Sequence, residues 1–141
     1  GPGFAAGRCI AAPVYLQDIM PTSLELAGAA RPAHVRFRSL LPLARDSSAP
    51  HYDAIYGGYM TLQRMVRVGD MKLIWYPQPK VFMLFDLAQD PHECHDLSGN
   101  PAHRATRDAL TRRLAALQRE LNDPLPPVPA GKGEEGTAHD T

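Results

Sequence analysis

The spacing of apolar residues changes twice along this chain, and each change marks a different kind of element. In "VYLQDIMPTSLELAG", Ile19, Met20, Leu24, Leu26 and Ala27 recur at helical intervals and cover much of a helix circumference. Asp18 stands at the N-cap position, Pro21 fits the first turn, and Gly28 falls where a C-terminal glycine belongs. A helix apolar around so much of its surface is normally packed on a sheet or another helix. No strand-rich stretch precedes it. Residues 29 to 50 are irregular, broken by Pro32, Pro42 and Pro50, and "SLLPLARDSSAP" reads as a short apolar turn running into a polar linker. A boundary is expected between 45 and 50.

From residue 52 the period shortens toward two. "AIYGGYM", "RMVRVG", "KLIWYP" and "VFMLFDL" are β-branched and aromatic runs separated by turn residues. Gly69-Asp70 predicts a tight hairpin, and Pro77 and Pro79 end the third run because proline cannot donate to a ladder. After the turn-rich "DPHECHDLSGNP" the helical period returns. Asn100 is an N-cap with Pro101 at the first helical position, and Leu110, Leu114, Leu117 and Leu121 form one stripe. Arg104, Arg107, Arg112, Arg113 and Arg119 lie off that stripe. Each buried leucine is worth about 1.5–3 kcal/mol, enough to dock the helix on a sheet. Asn122-Asp123-Pro124 stops it, and the Pro- and Gly-rich residues 125–141 are expected to be disordered. The fold class is therefore α+β: an antiparallel sheet of three to four strands packed on a long C-terminal helix.

Composition adjusts this picture mainly by exclusion. The 141 residues include 44% hydrophobic and 21% charged side chains, ordinary for a globular chain. Fifteen basic residues balance fifteen acidic ones, which removes the simplest electrostatic case for a nucleic-acid partner. No apolar run approaches the ~18 residues of a membrane span, and no signal peptide is visible. The opening Gly1-Pro2-Gly3, with no initiating methionine, reads as a loop entered midway. Cys9 and Cys94 are too few for a disulfide framework and are expected to be free and buried.

Candidate chemistry is sparse. His92, Glu93, Cys94 and His95 offer ligands to zinc, but a structural site needs a second ligand pair at a set distance, and none appears. The acidic residues Asp86, Asp90 and Asp96 instead suggest a hydrogen-bonded turn. No Gly-x-Ser-x-Gly elbow, phosphate-binding glycine loop or His-Glu-x-x-His helix occurs. Arg64, Arg67 and Lys72 sit on the hairpin. Arginine forks suit sulfate, phosphate or carboxylate groups, yet the same side chains can pair with Asp70, Asp86 or Asp90. A non-catalytic anion- or glycan-binding α+β module is thus one reading of the chain.

A second reading comes from motifs in series. "D-x-x-P-T-x-x-x-L-A-G" from Asp18, "R-x-V-R-x-G-x-x-K-L-I" from Arg64, and "L-x-D-L-x-x-D-P-x-E" from Leu84 occur in order, with "RSLLPL" between the first two. The series, from Gly1 to about Pro124, resembles the C-terminal portion of type I, formylglycine-dependent sulfatases of the alkaline-phosphatase-like superfamily. The resemblance implies that residues 1–48 end an α/β catalytic domain, that 49–124 form the smaller α+β subdomain, and that the helix at 18–28 belongs with a sheet outside this sequence. It also implies a formylglycine nucleophile made from a C/S-x-P-x-R motif, and a calcium ion on carboxylates. Neither is expected in this chain: Cys9 continues "CIAAP" and Cys94 "CHDLS", and the resemblance implies that the calcium ligands lie in the N-terminal part. The expected partners are an N-terminal catalytic domain and a sulfated small molecule or glycan, with neither nucleic acid nor membrane, and bacterial members are commonly exported. By position at the rim of the first hairpin, His51, Tyr59, Gln63 and Arg64 are the candidate substrate-binding residues.

Overall fold

The computed structural model describes Gly7 and residues 9–129. The chain divides into two compact units, Gly1–Ile55 and Tyr56–Thr141.

In the first unit a 3-10 turn, Leu16–Asp18, leads into helix α1, Ile19–Leu26. Gly28, at φ 67°, ends the helix as expected. Its N–H bonds the Glu25 carbonyl at 3.1 Å and the Ala29 N–H bonds that of Leu24 at 2.9 Å, the paired bonds of a Schellman stop. Asp18 occupies the N-cap position, but its side chain makes no capping bond. Pro21 and Thr22 are buried, whereas Leu16, Ile19, Met20 and Leu26 are exposed. A second helix, α2, Leu41–Arg45, lies within the stretch read as irregular and buries Leu41, Leu43 and Ala44.

Four strands follow in chain order: β1 Ile55–Tyr59, β2 Gln63–Val68, β3 Met71–Tyr76 and β4 Val81–Asp86. β2 and β3 are antiparallel with Arg67 opposite Lys72 and Val68 opposite Met71, leaving Gly69-Asp70 as the two-residue turn. Gly69 has φ 57°, the positive value that a first turn residue needs in the II′ hairpin. A row of fully buried side chains, Val66, Leu73 and Leu84, crosses β2, β3 and β4. On the same face Trp75 pairs with Phe82, ring centroids 4.4 Å apart.

Helix α3, Arg104–Glu120, follows a 3-10 turn, Pro101–His103, that Asn100 caps by accepting from the Ala102 N–H at 3.0 Å. It packs against β2 and β3 and buries Leu110, Leu114 and Leu117. Leu121 departs from the expected stripe and is exposed. The helix ends at Glu120, and Asn122, at φ 52°, turns the chain away through a second Schellman stop. Gln118 lies on the buried face instead. Its amide accepts from the Val128 N–H at 2.7 Å and donates to the Pro126 carbonyl at 3.3 Å. Residues 125–129, the start of the segment expected to be disordered, are thereby held against the helix, and Val128 is buried. Residues 130–141 of that segment lie outside the described residues. Both cysteines are free and exposed, contrary to expectation, because each lies on a loop with no apolar cover.

Candidate functional site

In the first unit the polar centre is the Asp18 carboxylate, which is fully buried. One oxygen accepts from the Tyr15 N–H at 2.8 Å, and the other from the Arg38 N–H at 3.1 Å and the Tyr52 hydroxyl at 2.7 Å. His51 Nε2 lies 3.3 Å away and donates in its Nε2-protonated tautomer. Thr22 extends the network: its hydroxyl donates to the Asp18 carbonyl at 2.6 Å and accepts from the Leu40 N–H at 2.9 Å. Burial pushes the Asp18 carboxyl up, but hydrogen bonds from Tyr15, Tyr52, Arg38 and His51 outweigh it and hold the group below the usual carboxylate range. Burial and the bond to Asp18 raise the Tyr52 hydroxyl to about 12. The ring of Tyr52 meets those of Tyr15 and His51 edge to face, Phe37 meets Tyr15 in the same way, and the Arg38 guanidinium lies 4.6 Å from the centre of the Tyr52 ring. The Asp and Thr of "D-x-x-P-T" therefore tie three chain segments together rather than start a helix.

The second unit is organised around Arg64. Its Nε donates to Asp123 Oδ2 at 2.6 Å and its Nη2 to Oδ1 at 3.1 Å, a bidentate fork. Nη1 donates to the carbonyls of Met60 at 2.7 Å and Gln63 at 2.8 Å. The Tyr56 hydroxyl also bonds Asp123, and the Leu125 N–H donates to it at 2.8 Å. Both partners are nearly inaccessible, with side-chain exposures of 5% and 6%. Burial pushes the Asp123 carboxyl up, and the bonds from Arg64 and Tyr56 more than reverse this. Burial and Asp123 together raise the Tyr56 phenol.

Two local features make the pair possible. The Schellman turn at Asn122 aims Asp123 back at the sheet. Gly58 lets the guanidinium cross β1: a Cβ there would stand 3.2 Å from Arg64 Cδ and Nη1. The sequence signal for this cluster was the Gly57-Gly58 pair inside a strand, which marks a close approach. Its partner Asp123 carried no signal beyond a helix stop.

The two other hairpin cations are also paired. Arg67 donates to the Gly69 carbonyl at 2.8 Å and lies 3.6 Å from Asp70. Lys72 Nζ contacts both oxygens of Glu93 at 2.7 Å. Lys72 belongs to "K-L-I" and Glu93 to "D-P-x-E", so this ion pair joins two of the motifs that carried the family resemblance. Other residues around Glu93 serve the same turn. The Asp90 carboxylate accepts from the His95 N–H at 2.7 Å. Asp96 accepts from the Leu84 N–H at 2.9 Å while the Leu97 N–H bonds the Leu84 carbonyl at 2.8 Å, which covers the open edge of β4.

The four candidate substrate residues fall into different surroundings. His51 belongs to the Asp18 network, with a side chain only 4% exposed. Tyr59, Gln63 and Arg64 belong to the second unit, where Tyr59 is 59% exposed, Gln63 is half-buried and Arg64 is buried. Arg64 spends its fork on Asp123, so the geometry makes it an internal cation. Among the described residues no group of three or more His, Cys, Asp or Glu converges as a metal ion would require. Asp18, Asp96 and Asp123 are committed to protein donors.

A family model described as the C-terminal part of N-sulphoglucosamine sulphohydrolase matches residues 3–120. An uncharacterized protein of Haemophilus influenzae is 30% identical over 117 residues, covering 79% of this chain and 60% of that protein. Arylsulfatase K of Danio rerio is 32% identical over 114 residues, covering 70% of this chain and 21% of the enzyme. The chain thus spans less than two thirds of either relative. A solved 2-O GAG sulfatase superposes with a TM-score of 0.66 at 25% identity, over 75% of this chain and 25% of that structure.

Proposed function

This chain belongs to the family of N-sulphoglucosamine sulphohydrolase C-terminal domains, and from that membership we propose that it is the C-terminal portion of a sulfatase that hydrolyses sulfate esters of a sulfated carbohydrate. It supplies scaffold and a wall of the substrate cleft. The nucleophile and calcium site belong to the N-terminal catalytic domain with which it works. The observation that carries this reading is where the buried charges go. Asp18, Arg64 and Asp123 are each consumed by their own framework, and no buried side-chain nitrogen or oxygen among the described residues lacks a hydrogen-bond partner. A catalytic or anion-binding group needs donors or acceptors left for the ligand. The exposed apolar side chains of α1 fit a helix that continues a larger domain.

Of the four residues first read as substrate contacts, Tyr59 and Gln63 keep that role here. His51 and Arg64 act behind the surface. The test is sulfate release by two proteins: the complete enzyme, carrying its catalytic domain ahead of this chain, and the 141-residue chain alone. The complete enzyme is expected to release sulfate from sulfated oligosaccharides and the chain to release none. Turnover by the isolated chain, or none by the complete enzyme, would sink the reading.

A further inference from the structure

The turn between β1 and β2 is held in a shape that its own sequence disfavours. Met60 sits at φ 47°, in the left-handed region, although it is not glycine. The Leu62 N–H closes the turn on the Tyr59 carbonyl at 3.0 Å. Arg64 then clamps it from inside, with Nη1 on the Met60 and Gln63 carbonyls and the rest of the fork fixed by Asp123. Strained residues fixed by a buried charge network are typical of ligand-positioning segments. The clamp leaves Tyr59, Met60 and Leu62 projecting, 59%, 72% and 42% exposed, at one end of the sheet.

The turn from Tyr59 to Gln63 carries no charged side chain, and the nearest cation, Arg64, faces inward. A sulfate group seeks cations or several N–H donors, and this turn presents neither. It presents an aromatic face, a thioether and, from Gln63, an amide. The C–H face of a pyranose suits an aromatic ring, whose quadrupole is negative above the plane. We propose that Arg64 is a positioning residue that holds the Tyr59–Leu62 turn against an uncharged sugar neighbouring the sulfated one, with Tyr59 stacking on that ring.

The proposal rests on the sulfatase reading above, and the experiment separates the two. In the complete enzyme, kinetics are measured on p-nitrophenyl sulfate, which has no second sugar, and on a disaccharide whose sulfated ring is linked to an unsulfated, uncharged N-acetylhexosamine. Tyr59→Ala, at an exposed position, is expected to raise KM for the disaccharide about tenfold with kcat retained, and to leave aryl sulfate kinetics and Tm unchanged. Arg64→Lys keeps the charge but not the fork. It is expected to give the same split in KM, together with a lower Tm. Unchanged disaccharide kinetics in Tyr59→Ala, or equal losses on both substrates, would overturn the positioning role while leaving the sulfatase reading intact. Absence of turnover by the unaltered enzyme on every substrate would remove both.

Discussion

The two units solve the same problem with different materials. The sheet unit has a continuous apolar row, Val66, Leu73 and Leu84, with a leucine-lined helix packed on β2 and β3. Its buried ion pair, Arg64 with Asp123, ties the end of that helix to a strand. The first unit has only short helices and long connections, and one buried carboxylate collects the backbone amides that would otherwise be orphaned. Where apolar area is plentiful, a buried charge fixes geometry. Where it is scarcer, the charge gathers the connections around a small apolar core of Val35, Leu41 and Leu43. The second arrangement should therefore be the more fragile to a single substitution.

Asp18→Ala gives the sharpest break. It leaves the Tyr15 amide, the Tyr52 hydroxyl and His51 Nε2 without their acceptor, while the Arg38 amide keeps the Tyr52 oxygen at 3.0 Å. At roughly 1–3 kcal/mol for each orphaned buried donor, the loss should be about 5 kcal/mol. Hydrogen exchange should show it as lost protection at Tyr15, Arg38 and Leu40, with the amides of β3 still protected. Uniform loss across both units would mean that the two are one cooperative structure.

Arg64→Ala should cost about 3–5 kcal/mol, because it strands the Asp123 charge in the interior. Replacing both partners with apolar residues of similar size should recover most of that loss, as measured by urea denaturation followed at Trp75. An equal loss in the double variant would assign the cost to packing instead. Acid provides a gentler probe of both carboxylates. Asp18 and Asp123 are held below the ordinary aspartate value of 3.8 in the folded chain. A depressed folded pKa stabilises the fold above the unfolded value, and that contribution disappears as pH falls through the folded one. Stability should thus be level from pH 7 to 5 and fall below about pH 4, less steeply in Asp123→Asn. At the alkaline end Tyr52, raised to about 12, contributes stability that is present below pH 10 and lost as pH rises from 10 through about 12.

These clusters were the least legible parts of the sequence, for a physical reason. Local rules found the Gly69-Asp70 hairpin, the Asn100 cap, the Gly28 stop and the leucines at 110, 114 and 117, since each depends on residues within a turn or two. They placed Leu121 on the stripe because periodicity cannot see the Asn122 turn that ends it. Asp18 looked like a cap and Asp123 like a helix stop. Their true partners, Tyr52 and Arg64, are 34 and 59 residues away, and no spacing rule reaches that far. Gln118 hid in the same way: a polar residue on an apolar face betrays a partner but not which one.

Lys72 and Glu93 should mark the lower limit of this contrast. They join two motifs and look as prominent as the buried pair, but their side chains are 20% and 31% exposed. Water and salt reach them, so a double-mutant cycle of Lys72→Met and Glu93→Gln should give a coupling of about 1 kcal/mol or less. It should also shrink as salt is raised from 0.05 to 0.5 M, conditions in which the Debye length falls from roughly 14 to 4 Å. Glu93 complicates the cycle in an informative way. It sits at φ 55°, where glycine is easier than any branched or long side chain. Glu93→Gly removes the ion pair and relieves the backbone at once, so its net effect should lie within about 1 kcal/mol of zero. A loss of several kcal/mol in that variant would mean that the turn from Asp90 to Asp96 depends on the charge itself, and that the exposed pair carries weight comparable to Arg64 and Asp123.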